Sequence, residues 1–275
     1  MTLRDALLRG KKRPRSFGSG SPTTYRGDGY EFVELRAYVP GDDVRRIDWA
    51  ATARASALQT RVVLEDVALT LAAIVDDSPS MRVGRRRSLL DAANEAVETW
   101  FNAASGDDRC IRVGPRYVFP PRGARGRVSA RAASLSPGIQ FDAIDALRTA
   151  RAALQRGSAL LAIGDWYELN DTHEALLSEM GTRFDCTALV ARDPWYDDLP
   201  LRGIVRLRGA EGGSIRTYVG RRERQRYREA VREREARVLS RFERTNWRIG
   251  ILHEADGSAS LAEAFGLHAA EVMAR

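Results

Sequence analysis

Apolar runs and amphipathic stretches alternate along most of this chain. Residues 67–75 and 158–164 are almost continuously apolar, as buried parallel strands are. After the first run, apolar residues recur at the three-and-four spacing of a helix face: Leu89, Leu90, Ala93, Val97, Trp100, Phe101 and Ala104. Strands separated by helices of this length require crossover connections, which give a mostly parallel sheet covered on both faces. The pattern therefore predicts a doubly wound α/β domain.

The same reading supplies the remaining elements of this domain. Strands are predicted at 109–113, 117–119, 184–192 and 247–253, and helices at 141–154, 170–181, 221–244 and 261–274. The arginine- and alanine-rich segment 124–134 is compatible with a short helix. Two short strands around Glu211, Gly212 and Gly213 predict a hairpin inserted at about residues 193–220.

The first 60 residues have a different pattern. Residues 1–26 are rich in Gly, Ser, Pro and basic residues, which predicts a flexible basic leader. Residues 27–60 begin with nearly alternating apolar and polar positions and then break at Pro40 and Gly41, so a β-rich arm with a short strand, a turn and a return segment is expected. The sequence thus predicts a leader, an arm and an α/β domain over residues 61–275.

Charge and hydropathy narrow the class of protein. The formal charge is +7, but residues 1–15 alone carry +5, so the body of the chain is nearly balanced. Acids alternate with arginines along the predicted helix at 221–244, which is typical of a solvated face, and no nucleic-acid partner is expected. The apolar runs are far shorter than the roughly 20 residues of a membrane helix, and no signal peptide follows the basic start. These features predict a cytoplasmic protein without a transmembrane segment.

The cysteines and histidines give little support for a disulfide, a histidine-rich metal site or a catalytic relay. Cys110 and Cys186 stand singly in predicted strands, so two buried structural thiols are favoured over a disulfide. With only His173, His253 and His268 in the chain, a histidine-rich metal site or a Ser-His relay has little to work with.

Polar side chains crowd the end of the first buried strand. Asp76, Asp77, Ser78 and Ser80 follow it directly, and Asp165 follows the strand at 158–164. Ligands of open parallel sheets bind beyond the carboxyl ends of the strands, where the winding reverses. The Asp-x-Ser-x-Ser spacing lets one carboxylate and two hydroxyls converge, and oxygen ligands suit Mg²⁺ or another hard divalent cation. In the alternative interpretation, the serines only cap the turn that leads into the next helix.

This spacing resembles the metal-ion-dependent adhesion site of von Willebrand factor type A domains, which are Rossmann-like, and the order of elements is similar too. The resemblance implies that Asp76, Ser78, Ser80 and Asp165 hold the metal. The family usually adds a threonine before the third helix, and the corresponding loop here contains none; Ser134 and Ser136 are the nearest substitutes. A degenerate adhesion site is therefore implied.

A second pattern lies in the arm. It comprises Gly27, Gly29, Glu31, Phe32, Leu35, Arg36, Tyr38, Pro40, Gly41, Asp42, Asp43, Arg45, Ile47, Asp48 and Trp49. This run is similar to the signature of the bacterial family called domain of unknown function 58, and the resemblance extends from about residue 25 to the C-terminus. By their charges alone, these residues suit arginine–carboxylate forks that lock the arm on its own domain, or a surface for a partner protein.

The family resemblance implies a non-enzymatic accessory protein. Its relatives are thought to work with MoxR-type AAA+ ATPases in maturing or remodelling protein complexes, with the type A domain as adaptor toward client proteins. Two alternatives are a metal-dependent hydrolase that uses Asp76 or Asp77 and an arginine-mediated nucleic-acid binder. Against the hydrolase, the Asp-x-Asp spacing of acyl-phosphate enzymes is missing, and no lysine follows Lys12 to bind a phosphate.

Overall fold

The computed structural model describes residues 2–8, 30–40, 42, 44–55, 57–65, 69–105, 108–119, 141–197, 199–209 and 212–268. The predicted helix at 124–134, the serines Ser134 and Ser136 and most of the leader lie outside these residues. The chain divides into two compact units. The smaller is Arg4–Leu69, and the larger comprises Met1–Leu3 and Thr70–Arg275.

The smaller unit is built on a pair of strands. After a short N-terminal helix, α1 (Leu3–Leu8), strand β1 (Tyr30–Ala37) pairs antiparallel with β2 (Gln59–Glu65), with an irregular register between Phe32 and Glu34. A 3₁₀ turn at Val44–Arg46 and the helix α2 (Trp49–Arg54) lie between them. The Asp48 carboxylate accepts a hydrogen bond of 2.9 Å from the Ala51 N–H and so caps α2.

This unit differs in detail from the predicted arm. The strand at its start is present, but the expected return segment after Pro40 contains α2, which the sequence pattern did not indicate, and the pairing strand begins only at Gln59. A helix as short as α2 shows too little periodicity to be recognised. The predicted boundary at residue 60 falls inside β2, whereas the two units meet at Leu69 and Thr70.

The larger unit contains the predicted sheet. In chain order its strands are β3 (Thr70–Val75), β4 (Arg109–Gly114), β5 (Tyr117–Phe119), β6 (Ala159–Gly164), β7 (Asp185–Ala191), β8 (Gly203–Arg208), β9 (Ser214–Val219) and β10 (Arg248–Leu252). Six of them form a sheet in the order β10-β7-β6-β3-β4-β5, in which only β5 is antiparallel. The chain winds outward from β3 in one direction and from β6 in the other. The doubly wound, mostly parallel sheet is confirmed, and so is the inserted hairpin, which forms the separate β8–β9 sheet.

Helices cover both faces of the sheet. They are α3 (Leu89–Asn102), α4 (Ala143–Ala153), α5 (Glu174–Arg183), α6 (Arg221–Arg244) and α7 (Gly257–Ala264). Helices α4, α5 and α6 share a core cluster with Ala72 and Ile74 of β3, while α3 and α7 pack together on the opposite face. Cys110 and Cys186 are buried thiols that are not joined in a disulfide, as predicted.

The helix predicted at 261–274 differs from the observed α7, and residues 269–274 of that prediction lie outside the described residues. α7 begins at Gly257, where the Asp256 carboxylate accepts a hydrogen bond of 2.8 Å from the Ala259 N–H, and it ends at Ala264. A Cβ at Gly257 would lie 1.8 Å from the carbonyl oxygen of Ala92. Glycine is a poor helix former, but it starts α7 because only glycine lets this helix approach α3 so closely.

Candidate metal centre

The two predicted acidic ligands follow adjacent parallel strands. Asp76 comes directly after β3, and Asp165 comes directly after β6. The Asp76 N–H donates a hydrogen bond of 2.9 Å to the Ile163 carbonyl, which continues the ladder between these strands. Both carboxylates therefore lie at the carboxyl edge of the sheet, at the point where the winding reverses.

A chain of hydrogen bonds joins all four predicted ligands. The Ser78 N–H donates to Asp76 Oδ1 at 2.8 Å, and the hydroxyl oxygens of Ser78 and Ser80 are 2.8 Å apart. The Ser80 hydroxyl donates to Asp165 Oδ2 at 2.6 Å. The structure thus brings Asp76, Ser78, Ser80 and Asp165 together across a gap of 85 residues in sequence.

The serines do not serve as helix caps. Ser78 occupies the cap position of the 3₁₀ turn Pro79–Arg82, but its side chain makes no capping hydrogen bond there. The following helix, α3, is capped instead by Ser88, whose hydroxyl accepts from the Asp91 N–H at 3.1 Å. The hydroxyls of Ser78 and Ser80 are turned toward the carboxylates, which removes the capping interpretation.

Asp76 is in an unfavourable place for a charge. Its side chain is buried, with 6% of the residue exposed. Burial raises the pKa of Asp76 to about 6, and the neighbouring carboxylates of Asp165 and Asp77 contribute in the same direction, while hydrogen bonds from Ser78 oppose the shift. A carboxyl group with a raised pKa beside a second carboxylate is typical of binding sites.

Two residues next to Asp165 shape the centre and were missed by the sequence analysis. A Cβ at Gly164 would lie 3.0 Å from Asp76 Cβ and 3.3 Å from Asp76 Oδ2, so glycine permits the close approach of Asp76. Trp166 has a positive φ of 57° and is 1% exposed, and its ring packs edge-on against Phe242. The indole Nε1 of Trp166 is buried without a hydrogen-bond partner. The sequence offered a signal in the unusual Gly-Asp-Trp run after a buried strand.

Further side chains surround the centre. The Tyr167 N–H donates to Asp165 Oδ1 at 3.1 Å, and the half-exposed Tyr167 ring lies under the Arg234 guanidinium at 4.4 Å. Arg112 of β4, which interacts electrostatically with Asp77, is 5% exposed, and its Nε and Nη1 lack hydrogen-bond partners. Burial lowers the pKa of Arg112, while Tyr117 and Asp77 oppose that shift. None of these residues was a predicted site residue.

The donor set is made of oxygen alone. Within the described residues, no three His, Cys, Asp or Glu side chains form a group that could hold a metal ion. The candidate centre therefore depends on the hydroxyls of Ser78 and Ser80 in addition to its two carboxylates. Such a set is unlike a zinc site and suits a hard cation.

The signature residues of the arm lie in the smaller unit. Arg36 Nη2 contacts Asp42 Oδ1 at 2.7 Å, and Asp42 Oδ2 accepts from the Val39 N–H at 3.0 Å, so Asp42 joins the end of β1 to the turn. Asp48 caps α2, whereas Trp49 is 68% exposed. Of the other charged signature residues, Arg45 is exposed, and Asp43 lies outside the described residues.

Fold and site together define a doubly wound α/β protein with an oxygen-rich acidic cluster where the strand order reverses. The chain belongs to the family described as "Protein of unknown function DUF58", whose family model matches residues 34–237. Uncharacterized proteins of Mycobacterium tuberculosis and Mycobacterium bovis are 33% identical to it over 208 residues, which cover 70% of this chain and 64% of theirs. The chain thus spans about 64% of the length of these relatives.

Two solved structures are also similar to this chain. One is an aerotolerance-related membrane protein from Bacteroides fragilis, with 17% identity, a TM-score of 0.45, and coverage of 72% of this chain and 98% of that one. The other is the conserved hypothetical protein BatB from Bacteroides thetaiotaomicron, with 12% identity, a TM-score of 0.33, and coverage of 64% and 98%. Among the described residues of the present chain, none of the helices has the length and apolar character needed to cross a membrane.

Proposed function

We propose that this protein is a non-enzymatic adaptor whose larger unit is a von Willebrand factor type A-like domain with a degenerate metal-ion-dependent adhesion site. The observation that carries the proposal is the hydrogen-bonded convergence of Asp76, Ser78, Ser80 and Asp165 at the reversal of the sheet. A divalent cation held there would offer a coordination position to a carboxylate of a partner protein.

The residues present fit such a cation. Mg²⁺ prefers oxygen ligands and accepts few carboxylates, which matches two aspartates and two serines. A cation would also relieve the repulsion that Asp165 exerts on the buried Asp76 carboxylate. Finally, the orphaned indole N–H of Trp166 lies beside the same edge, and a buried donor without a partner is the kind of group that an ordered water of a hydrated ion satisfies.

Each ligand has a distinct part in the proposal. Asp76 anchors the cation, since its backbone is fixed by the β3–β6 ladder. Asp165 orients the Ser80 hydroxyl, and Ser78 links that hydroxyl to the Asp76 loop. The site is called degenerate because the usual threonine is missing from the sequence of the loop before α4.

The proposed partners are a MoxR-type AAA+ ATPase and the client proteins that it remodels, in the cytoplasm. Membership of the DUF58 family supports this assignment, because relatives with the same signature are thought to work with such ATPases. The ATPase supplies the energy of remodelling in this scheme, so the present chain needs no catalytic group of its own. Its contribution is recognition through the cation centre.

Co-purification tests the proposal directly. Tagged wild-type protein is expected to recover the MoxR-type ATPase of the same organism in Mg²⁺, and recovery should fall with EDTA or with Asp76→Ala, because both remove the cation. Glu263→Gln removes one exposed acidic charge from α7 and serves as the matched control.

Two results would count against the proposal. Equal recovery in Mg²⁺, EDTA and Asp76→Ala would exclude a metal bridge, and absence of the ATPase from every sample would exclude the adaptor role. Metal-dependent turnover of a phosphoester panel that Asp76→Ala abolishes would favour the hydrolase instead.

A further inference from the structure

The β8–β9 hairpin exposes large apolar side chains. Ile204 is 68% exposed, Ile215 62% and Tyr218 64%, and Leu207 is 36% exposed. The two strands form their own sheet, and an isolated two-stranded sheet is marginally stable in water. Several large apolar side chains exposed on one small element usually mark a contact surface.

One face of the hairpin is strongly basic. The register places Arg206 opposite Arg216, Arg208 opposite Ser214 and Ile204 opposite Tyr218, so these six side chains share a face. The two strands contain no Asp or Glu. Like charges directly opposite each other destabilise a strand pair, and acidic groups bound against this face would offset that repulsion.

The same arginines border an open cleft. It has a volume of about 620 Å³ and is lined by Arg206, Arg208, Gly213 and Ser214. Arg206 Nη2 donates to the Ser214 hydroxyl at 3.3 Å, and in the part of the chain that the structure describes none of the three arginines forms an ion pair with a carboxylate. The hairpin is therefore complementary in charge to an acidic ligand.

The backbone of the hairpin can also bind. Among the residues that the structure describes, β8 and β9 pair only with each other, so each keeps an outer edge of backbone N–H and C=O groups. An extended peptide can add to such an edge by main-chain hydrogen bonds, with specificity from alternate side chains.

We propose that the hairpin binds an extended acidic segment of another protein, which adds as a third strand beside β8. Arg206 and Arg208 lie two residues apart on one face of β8, and Leu207 lies between them on the other. A strand beside β8 meets this pattern when acidic residues alternate with apolar ones. The ligand class is thus an acidic–apolar–acidic β-segment.

The observations disfavour other occupants. A bilayer cannot satisfy the backbone groups of a strand edge, and a flat surface would contact Ile204 and Tyr218 while leaving Leu207 and Ile215 on the other face in water. A second copy of this chain would bring the same three arginines against each other. An acidic strand of another protein can pair with the arginines, cover apolar side chains and form hydrogen bonds with the backbone edge of the hairpin at the same time.

The test uses a fluorescein-labelled peptide of about eight residues, the length of an ordinary strand, in which glutamate and valine alternate. Fluorescence anisotropy is expected to show saturable binding to the full-length protein. The double variant Arg206→Gln/Arg208→Gln should weaken binding at least about tenfold, while Arg228→Gln, which removes one exposed arginine from α6, should leave it unchanged. Circular dichroism checks that each variant is folded.

Two altered peptides separate strand addition from simple attraction of charge. Scrambling the order so that the glutamates are consecutive, or methylating the backbone nitrogens of alternate residues, should abolish binding. Equal binding of either peptide, or binding to phosphatidylserine vesicles but to no peptide, overturns the proposal. The peptide should bind equally in Mg²⁺ and EDTA, so a failed cation centre and a failed hairpin site give different results.

Discussion

Asp76 is the residue on which the candidate centre depends most. Its side chain is deeply buried and lies near other carboxylates, and both features make its charge unfavourable in the protein without a cation. The raised pKa of Asp76 expresses this cost. Residues that break a local rule of stability in this way are typical of functional sites. The free energy that this buried charge costs the folded state can be measured.

Asp76→Asn should stabilise the protein in EDTA. Because folding raises the pKa of Asp76 from 3.8 to about 6, the fold favours the neutral form, so the contribution of Asp76 to stability is greatest below about pH 4 and is lost as the pH rises through about 6. Asparagine keeps an acceptor for the Ser78 N–H without the charge. We expect a gain of at most about 3 kcal/mol at pH 7.5, from urea unfolding, that shrinks toward pH 4.

The same variant should lose the stabilisation that Mg²⁺ gives the wild type, because the cation needs the charged carboxylate. Asp197→Asn, at an exposed aspartate, controls for the change in net charge and should alter neither quantity. If Asp76→Asn proved less stable than the wild type in EDTA at pH 7.5, the buried charge would not be a cost to the fold.

The four ligands were predictable from sequence because their signal is local. Polar residues at the end of a buried strand and the Asp-x-Ser-x-Ser spacing need no knowledge of distant contacts. Trp166 and Arg112 were not predictable in the same way. Their buried nitrogens lack hydrogen-bond partners because the described elements packed against them provide no acceptor in reach. The sequence around Trp166 or Arg112 alone does not show this.

At the scale of elements, the centre depends on how closely the ends of β3 and β6 approach. Gly164→Ala places a Cβ 3.0 Å from Asp76 Cβ, tighter than ordinary contacts, and should displace the Asp76 carboxylate. Titration calorimetry should show Mg²⁺ affinity at least about tenfold weaker than in the wild type, a loss of about 1.4 kcal/mol. The folded structure should persist, because only a methyl group is added at the sheet edge.

The opposite end of the same strand offers a matched control. Gly157 precedes β6, and a Cβ added there would meet no atom within 4 Å, but its φ is 81°. Gly157→Ala should therefore cost about 1–2 kcal/mol of stability through backbone strain and leave Mg²⁺ affinity intact. Unchanged affinity in Gly164→Ala would show that the approach of the strands does not shape the centre.

Long, strongly periodic elements were predicted best. The bounds of α6 agree with the predicted 221–244, because its apolar stripe spans many turns and the hairpin before it ends in Gly220. Elements set by tertiary contacts were predicted worst. The start of α7 depends on the contact of Gly257 with α3, and α2 is a helix of only six residues capped by Asp48. Neither contact can be seen in the periodicity of its own segment.

At the scale of the whole molecule, the centre and the core of the larger unit are coupled. Asp76 and Asp165 follow β3 and β6, the two middle strands of the sheet, and Cys110 and Cys186 lie on the strands that flank them. The cysteines are 1% and 2% exposed, and burial raises the pKa of the Cys186 thiol. Since the thiolate is the reactive form, each cysteine should react only when the sheet opens.

Thiol labelling should therefore report cation binding through global stability. With Mg²⁺ at about 100 times its Kd, the folded state gains about 2.7 kcal/mol, and labelling of both cysteines by Ellman's reagent should slow by about 100-fold relative to EDTA. Asp76→Ala should abolish the slowing, because its folded state no longer binds the cation, while urea should release two reactive thiols in every sample. Rapid labelling of either thiol in the native protein would show that the sheet opens locally. Equal labelling rates of the wild type with and without Mg²⁺ would show that the folded sheet holds no cation.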